Sequence, residues 1–172
     1  MDEQRQQQLV RATESLRSWL APLHFASLAR SEVTSLVTAH VVAWAESYRF
    51  EVVQQVKAIA TRRRRYGRTQ NSWLNLECRH RSGMTIAVEI DFANKFWSIE
   101  KLAAEADAGK LAIWVKWGGP VSLSLIPEKI GVVELRVDWS RQDGQVTYSR
   151  EANAVFPSPQ RDESESGRAV PV

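Results

Sequence analysis

Apolar residues recur at helical spacing in some stretches of the chain and alternate in others. Leu9, Ala12, Leu16, Trp19 and Leu20 fall on one side of a helical wheel and Pro22 lies just beyond, which predicts a helix over 4–20. A second stripe, Val33, Leu36, Val37, Val41 and Trp44, predicts a helix over 31–47 with Ser31 as its N-cap. The stretch "FEVVQQVKAIA" (50–60) is rich in β-branched residues and reads as a strand, although Gln54 and Gln55 interrupt it. In "SWLNLECRH" (72–80), Leu74, Leu76 and Cys78 alternate with Trp73, Asn75, Glu77 and Arg79. A turn signal, "RSG" at 81–83, leads into "MTIAVEIDF" (84–92). There Ile86, Val88, Ile90 and Phe92 point one way, and Thr85, Ala87, Glu89 and Asp91 the other. These two strands are expected to pair as an antiparallel hairpin.

The segment "SIEKLAAEADAGK" predicts a helix capped by Ser98, with Ile99, Leu102, Ala103 and Ala106 buried and Gly109 ending it. "LAIWVKWGG" is apolar at nearly every position, as in a strand covered on both faces. The order helix, three strands, helix, strand implies an α/β fold with a mixed central sheet flanked by helices. Beyond Pro120, "VVELRVDW" and "QVTYSR" alternate around "SRQDG" and predict a C-terminal β-hairpin.

Composition refines this picture without redirecting it. A chain of 172 residues with 44% hydrophobic content and seven Trp can build one substantial core. Three segments are expected: an N-terminal amphipathic helical segment at 1–28, an α/β domain at 29–153, and a disordered tail at 154–172. The tail contains "PSPQRDESESGRAVPV", with three acids, three Pro and three Ser and little that is apolar. No apolar run is long enough to span a bilayer, so no membrane association is expected. The polar start "MDEQRQQQLVR" lacks the apolar core of a secretory leader. The single Cys78 excludes an internal disulfide, and a reducing cytoplasm is the expected compartment. Net charge is only +3, yet residues 61–81 hold seven Arg and one Glu. Arg62, Arg63, Arg64, Arg65 and Arg68 are candidate phosphate contacts, and a solvated turn is an equally good reading of their composition.

Glu89 and Asp91 raise the chemical question. Two carboxylates on one face of an otherwise apolar strand either meet water or hold something positive. Hard cations such as Mg²⁺ take oxygen ligands, commonly one or two carboxylates together with water and phosphate. The neighbouring strand offers Asn75 and Glu77. The following helix must cover one face of the sheet with its apolar stripe, so the carboxylates are expected on the opposite face, toward the 31–47 helix.

The block "LNLECRHRSGMTIAVEIDFANKFWSIEKLAAEADAGKLAIWVKWG" (74–118) resembles the PD-(D/E)XK nuclease superfamily, whose restriction-endonuclease-like core has the order αβββαβ. The resemblance covers about 31–118 and rests on a short, degenerate motif. It implies that Glu89 is the acid of the third strand and that Asp91 stands where a Lys is expected, an E-x-D variant. It places Asn75 at the first acid position, with Glu77 as a substitute. It implies Mg²⁺ or Mn²⁺ held by Glu89, Asp91, Asn75 and Glu77. Lys101, Lys95 or Lys116 would replace the missing lysine, Lys101 being favoured because family members recruit it from the following helix. Glu46 or Glu51 would add a further ligand.

Two functions follow as expectations. One is a metal-dependent nuclease acting on phosphodiester bonds, with Glu89, Asp91 and Lys101 catalytic and the Arg block on DNA. The other is a catalytically inactive module of the same fold that binds nucleic acid or a protein, the N-terminal helix serving a partner or self-association. His24, His40 and His80 lack metal-ligand spacing, and no phosphate-binding glycine loop or nucleophile elbow is present. Cys78 is expected to be buried, and Trp73 to pack rather than stack on a base.

Overall fold

The structure, a computed structural model, describes residues 2–63, 69–121 and 126–152, with backbone alone described at 62, 63, 69 and 142. Asp2 opens the first helix. Its carboxylate accepts the Arg5 N–H at 2.8 Å, and α1 runs Glu3–Leu20 with Leu9, Leu16 and Leu20 buried. A short strand, β1 (Phe25–Leu28), follows. The second helix, α2 (Arg30–Ser47), is capped at Ala29, two residues before the expected Ser31. The reason is Glu32, whose carboxylate reaches back to accept the Ala29 N–H at 2.6 Å.

Three strands come next: β2 (Glu51–Arg63), β3 (Thr69–Arg79) and β4 (Thr85–Asp91). The β3–β4 turn closes with the His80 N–H on the Met84 carbonyl at 2.9 Å, and Gly83 supplies the φ of +89° it requires. Then follow α3 (Phe96–Asp107), β5 (Leu111–Gly118), β6 (Ile130–Arg136), β7 (Asp138–Gln142) and β8 (Gln145–Arg150). The cap of α3 is Lys95, so Ser98 lies inside the helix instead of at its start. The expected strand 132–139 is divided. Its first part joins the large sheet as β6, and Asp138 and Trp139 begin β7. The β7–β8 hairpin itself is present, turning through Asp143 and Gly144, both at positive φ.

The five-stranded sheet has the order β2-β3-β4-β5-β6. Its first three strands are antiparallel neighbours, and β4, β5 and β6 run parallel. The α3 helix makes the crossover that two adjacent parallel strands need. A second, antiparallel sheet has the order β1-β8-β7. One core lies beneath α1 and α2 and includes Leu76, Ile86, Val88, Ile113 and Val115. The other lies beneath α3 and includes Leu74, Ala87, Ala112 and Trp114. With helices on both faces, β5 is buried at every position, as its composition predicts.

The 1–28 segment does not stand apart. Leu9, Leu16 and Leu20 of α1 share one core with Val33, Val37 and Val41 of α2. A Cβ at Gly131 of β6 would collide with the Thr13 side chain, so α1 sits directly against the backbone there. The tail at 154–172 lies outside the described residues. Among the described residues, no helix is long and apolar enough to cross a membrane.

Candidate functional site

The alternation of β3 breaks at Asn75. Leu76 and Cys78 enter the core under α1 and α2, but Leu74 enters the core under α3. β2 keeps its register across this point, pairing Gln54 with Leu76 and Val56 with Leu74, and Gln55 between them has a φ of +53°. Asn75 joins β4 through its side chain. Its Oδ1 accepts the Ile90 N–H at 2.8 Å, and its own N–H donates to Glu89 Oε1 at 3.2 Å. The amide expected as a metal ligand therefore serves the strand pairing.

Glu89 and Asp91 share the face of Ala87 and lie under α3, not under the 31–47 helix. The expectation for the opposite face fails because α3 buries polar residues as well. Ser98, Lys101 and Glu105 are buried beside the apolar stripe of Ile99, Leu102 and Ala106. Lys101 Nζ lies 2.7 Å from Glu89 Oε1 and donates to the Trp73 carbonyl at 2.7 Å. Ser98 Oγ donates to Glu89 Oε2 at 3.3 Å. Asp91 Oδ1 meets Lys95 Nζ at 2.5 Å, and Asp91 Oδ2 accepts the Trp114 Nε1–H at 3.0 Å. All four carboxylate oxygens thus have a protein donor. Burial pushes the Glu89 carboxyl up, reinforced by the Asp91 charge, and the Lys101 ammonium offsets only part of this.

Of the three candidate lysines, Lys101 and Lys95 meet the carboxylates. Lys116 stands level with Asp91 on β5, fully buried, and donates to the Gly119 carbonyl. Burial holds its ammonium below the usual range, against the pull of Glu134 and Asp91.

Glu77 belongs to a separate cluster near the end of α3. It pairs with Lys110 at 2.5 Å and Arg79 at 2.6 Å, and Lys110 also meets Glu105 at 2.7 Å. Glu105 in turn accepts the Ile59 N–H at 2.8 Å. Burial raises the Glu77 carboxyl, but Lys110 and Arg79 outweigh it and leave it below the ordinary range. Glu46 and Glu51 are exposed, and Glu51 stands level with Arg79, beside the start of β4 and away from Glu89.

A divalent cation does not fit this donor set. The Glu89 and Asp91 oxygens are taken by ammonium, hydroxyl, amide and indole donors, and the Asn75 oxygen by a backbone N–H. Among the described residues, no three His, Cys, Asp or Glu side chains gather as they would around a metal.

The remaining candidates divide clearly. Arg62 and Arg63 lie on β2 at the far end of the β2–β3 hairpin, level with Gln70 and Thr69. Arg64, Arg65 and Arg68 lie outside the described residues. Trp73 is 52% exposed rather than packed. Cys78 is fully buried, and burial together with the Glu77 charge pushes its thiol up to about 12, so it is inert as a nucleophile. Sequence reasoning missed Ser98 and Trp114 as partners of the two acids. The signal was the spacing of Ser98, Lys101 and Glu105, a polar stripe running beside the apolar one. No family model, no characterised protein and no solved structure matches this chain.

Proposed function

We propose that the chain is a restriction-endonuclease-like module that binds nucleic acid, DNA foremost, without cleaving it at Glu89 and Asp91. The fold reading draws support from the strand order, three antiparallel strands followed by a parallel fourth reached through α3. The observation that carries the non-catalytic reading is the full engagement of the four carboxylate oxygens by protein donors. An acid pair already matched by two lysines has no charge left for a metal to neutralise. Affinity would come from Arg62, Arg63, Arg64, Arg65 and Arg68, through backbone phosphates and without base reading.

The alternative, a Mg²⁺- or Mn²⁺-dependent nuclease in the cytoplasm, is favoured by one observation. Lys101 reaches Glu89 from the helix after β4, where the motif lacks its lysine. One experiment separates the two. Plasmid and single-stranded DNA are incubated with the protein and with Glu89→Ala, in Mg²⁺, Mn²⁺ or EDTA. The proposal expects equal background cleavage throughout. Metal-dependent cleavage that Glu89→Ala abolishes would replace it with the nuclease reading. In parallel, replacing Arg62–Arg65 by Gln is expected to weaken DNA binding and flatten its dependence on salt. An unchanged slope would detach the Arg block from nucleic acid.

A further inference from the structure

The parallel strands β4, β5 and β6 end on one side of the large sheet, and the residues just beyond them border a cleft of about 680 Å³. Phe92 follows β4, Gly118 and Gly119 close β5, and Val137 and Asp138 follow β6. The β7–β8 hairpin supplies the far wall through Trp139, Arg141 and Tyr148. In open α/β sheets, the crevice beyond the carboxyl ends of the parallel strands is where ligands settle.

Phe92 and Tyr148 of the lining are backed by the buried Trp117. Phe92, Trp117 and Tyr148 pack edge to face, with ring centroids 4.8–5.4 Å apart. The Arg30 guanidinium lies 4.4 Å from the centre of the Phe92 ring. Gly118 holds a φ of +110°, and a Cβ there would come within 2.6 Å of the Phe92 carbonyl, so this wall is bare backbone.

Trp139 is the anomaly. Directly across the hairpin from it, Tyr148 is buried, yet Trp139 is 69% exposed. An indole left in water beside an aromatic floor offers a free π-face, and Arg141 on the same wall offers an exposed cation. Asp138 is the opposing charge at the rim. At the β5 end of the cleft, the Gly119 carbonyl accepts from the buried Lys116.

We infer that this cleft takes an unpaired nucleobase, stacked on Trp139 with its flanking phosphate on Arg141, so that the preferred ligand is single-stranded nucleic acid. A stacked base gains by any π-face, which makes such a site tolerant of sequence, and a duplex cannot present a base to it. The inference rests on the nucleic-acid reading above and adds the strand form and the contact.

The test measures binding of a fluorescein-labelled oligothymidylate and of a labelled duplex to the full chain by anisotropy. Trp139→Ala is expected to weaken single-strand binding about tenfold and leave the duplex unchanged. Trp139→Phe restores most of the loss, and the unchanged duplex binding of Trp139→Ala excludes a folding defect. Arg141→Gln lowers the salt dependence of single-strand binding by about one contact. If wild type and Trp139→Ala bind the single strand equally, the cleft assignment is overturned while the nucleic-acid reading stands. If the wild type binds neither ligand, both fall. If Trp139→Ala instead dissociates a self-associated wild type without altering single-strand binding, the cleft is a protein contact and the inference is overturned.

Discussion

Two clusters of acids lie under α3 on the same sheet face, and their residues look alike in the sequence. Glu77 and Glu105 share Lys110 near the end of the helix. Glu89 and Asp91 meet Lys101 and Lys95 near its start. Little of either carboxylate meets solvent, but Glu89 lies much deeper in the protein than Glu77, and the balance of forces is opposite. At Glu77 two cations outweigh desolvation and hold the carboxyl low. At Glu89 desolvation outweighs its cation and holds the carboxyl high. The same residue type is thus a brace where two cations hold it at shallow depth, and a costly acid where one cation holds it deeper.

The largest difference should appear on removing the cations. Lys110→Met leaves Glu105 without its cation and Glu77 with Arg79 alone, and is expected to cost about 2 kcal/mol in urea unfolding, below a fully buried pair because Lys110 is partly exposed. Lys101→Met is expected to cost only about 1 kcal/mol, because Glu89 can take up a proton and become neutral. Equal losses would erase the distinction between the clusters.

The pH dependence sharpens it through sign. The folded-state carboxyl of Glu77 is lowered, so its contribution is present above the ordinary carboxylate range and lost as pH falls through the folded value. The Glu89 carboxyl is raised, so between its ordinary and folded values the folded state binds more protons, and stability falls as pH rises. Glu77→Gln should remove part of the acid-side loss, and Glu89→Gln part of the decline on the other side. Stability curves measured across pH that shift in the same direction for both variants would contradict this account.

Smaller changes probe single contacts. Ser98→Ala deletes one hydrogen bond to Glu89 and is expected to cost about 1 kcal/mol in denaturant unfolding. Arg79→Ala removes a half-exposed partner of Glu77 and should cost about 0.5 kcal/mol or less, because Lys110 remains and solvent screens the pair. A loss from Arg79→Ala exceeding that from Lys110→Met would reverse the roles assigned to the two cations.

The order from α2 to β5 is legible in the sequence because each of those elements carries enough apolar residues at its own period. β1 is not. It has four residues, contains Ser27 at a φ of +54°, and pairs with β8 more than a hundred residues away, so nothing local announces it. The pairing of Glu89 with Lys101 was accessible as a candidate, but the face was not. Placing the acids opposite α3 assumes that a covering helix buries apolar residues only, and Ser98, Lys101 and Glu105 violate that. The switch of face at Asn75 was equally hidden. Its cause is a side chain standing in for backbone pairing, which alternation cannot report.

The pairing of β1 with β8 also has a consequence in time. Made on the ribosome, β1 emerges early but has no strand to join until β8 has followed it, and α1 cannot seat on β6 until that strand exists. The N-terminal apolar stripe can meet α2 early, but its seat on the sheet waits while most of the domain is synthesised. A chain stalled before Gln145 would therefore hold Phe25 and its neighbours without their sheet, and such an intermediate invites chaperones or aggregation more than the finished fold does.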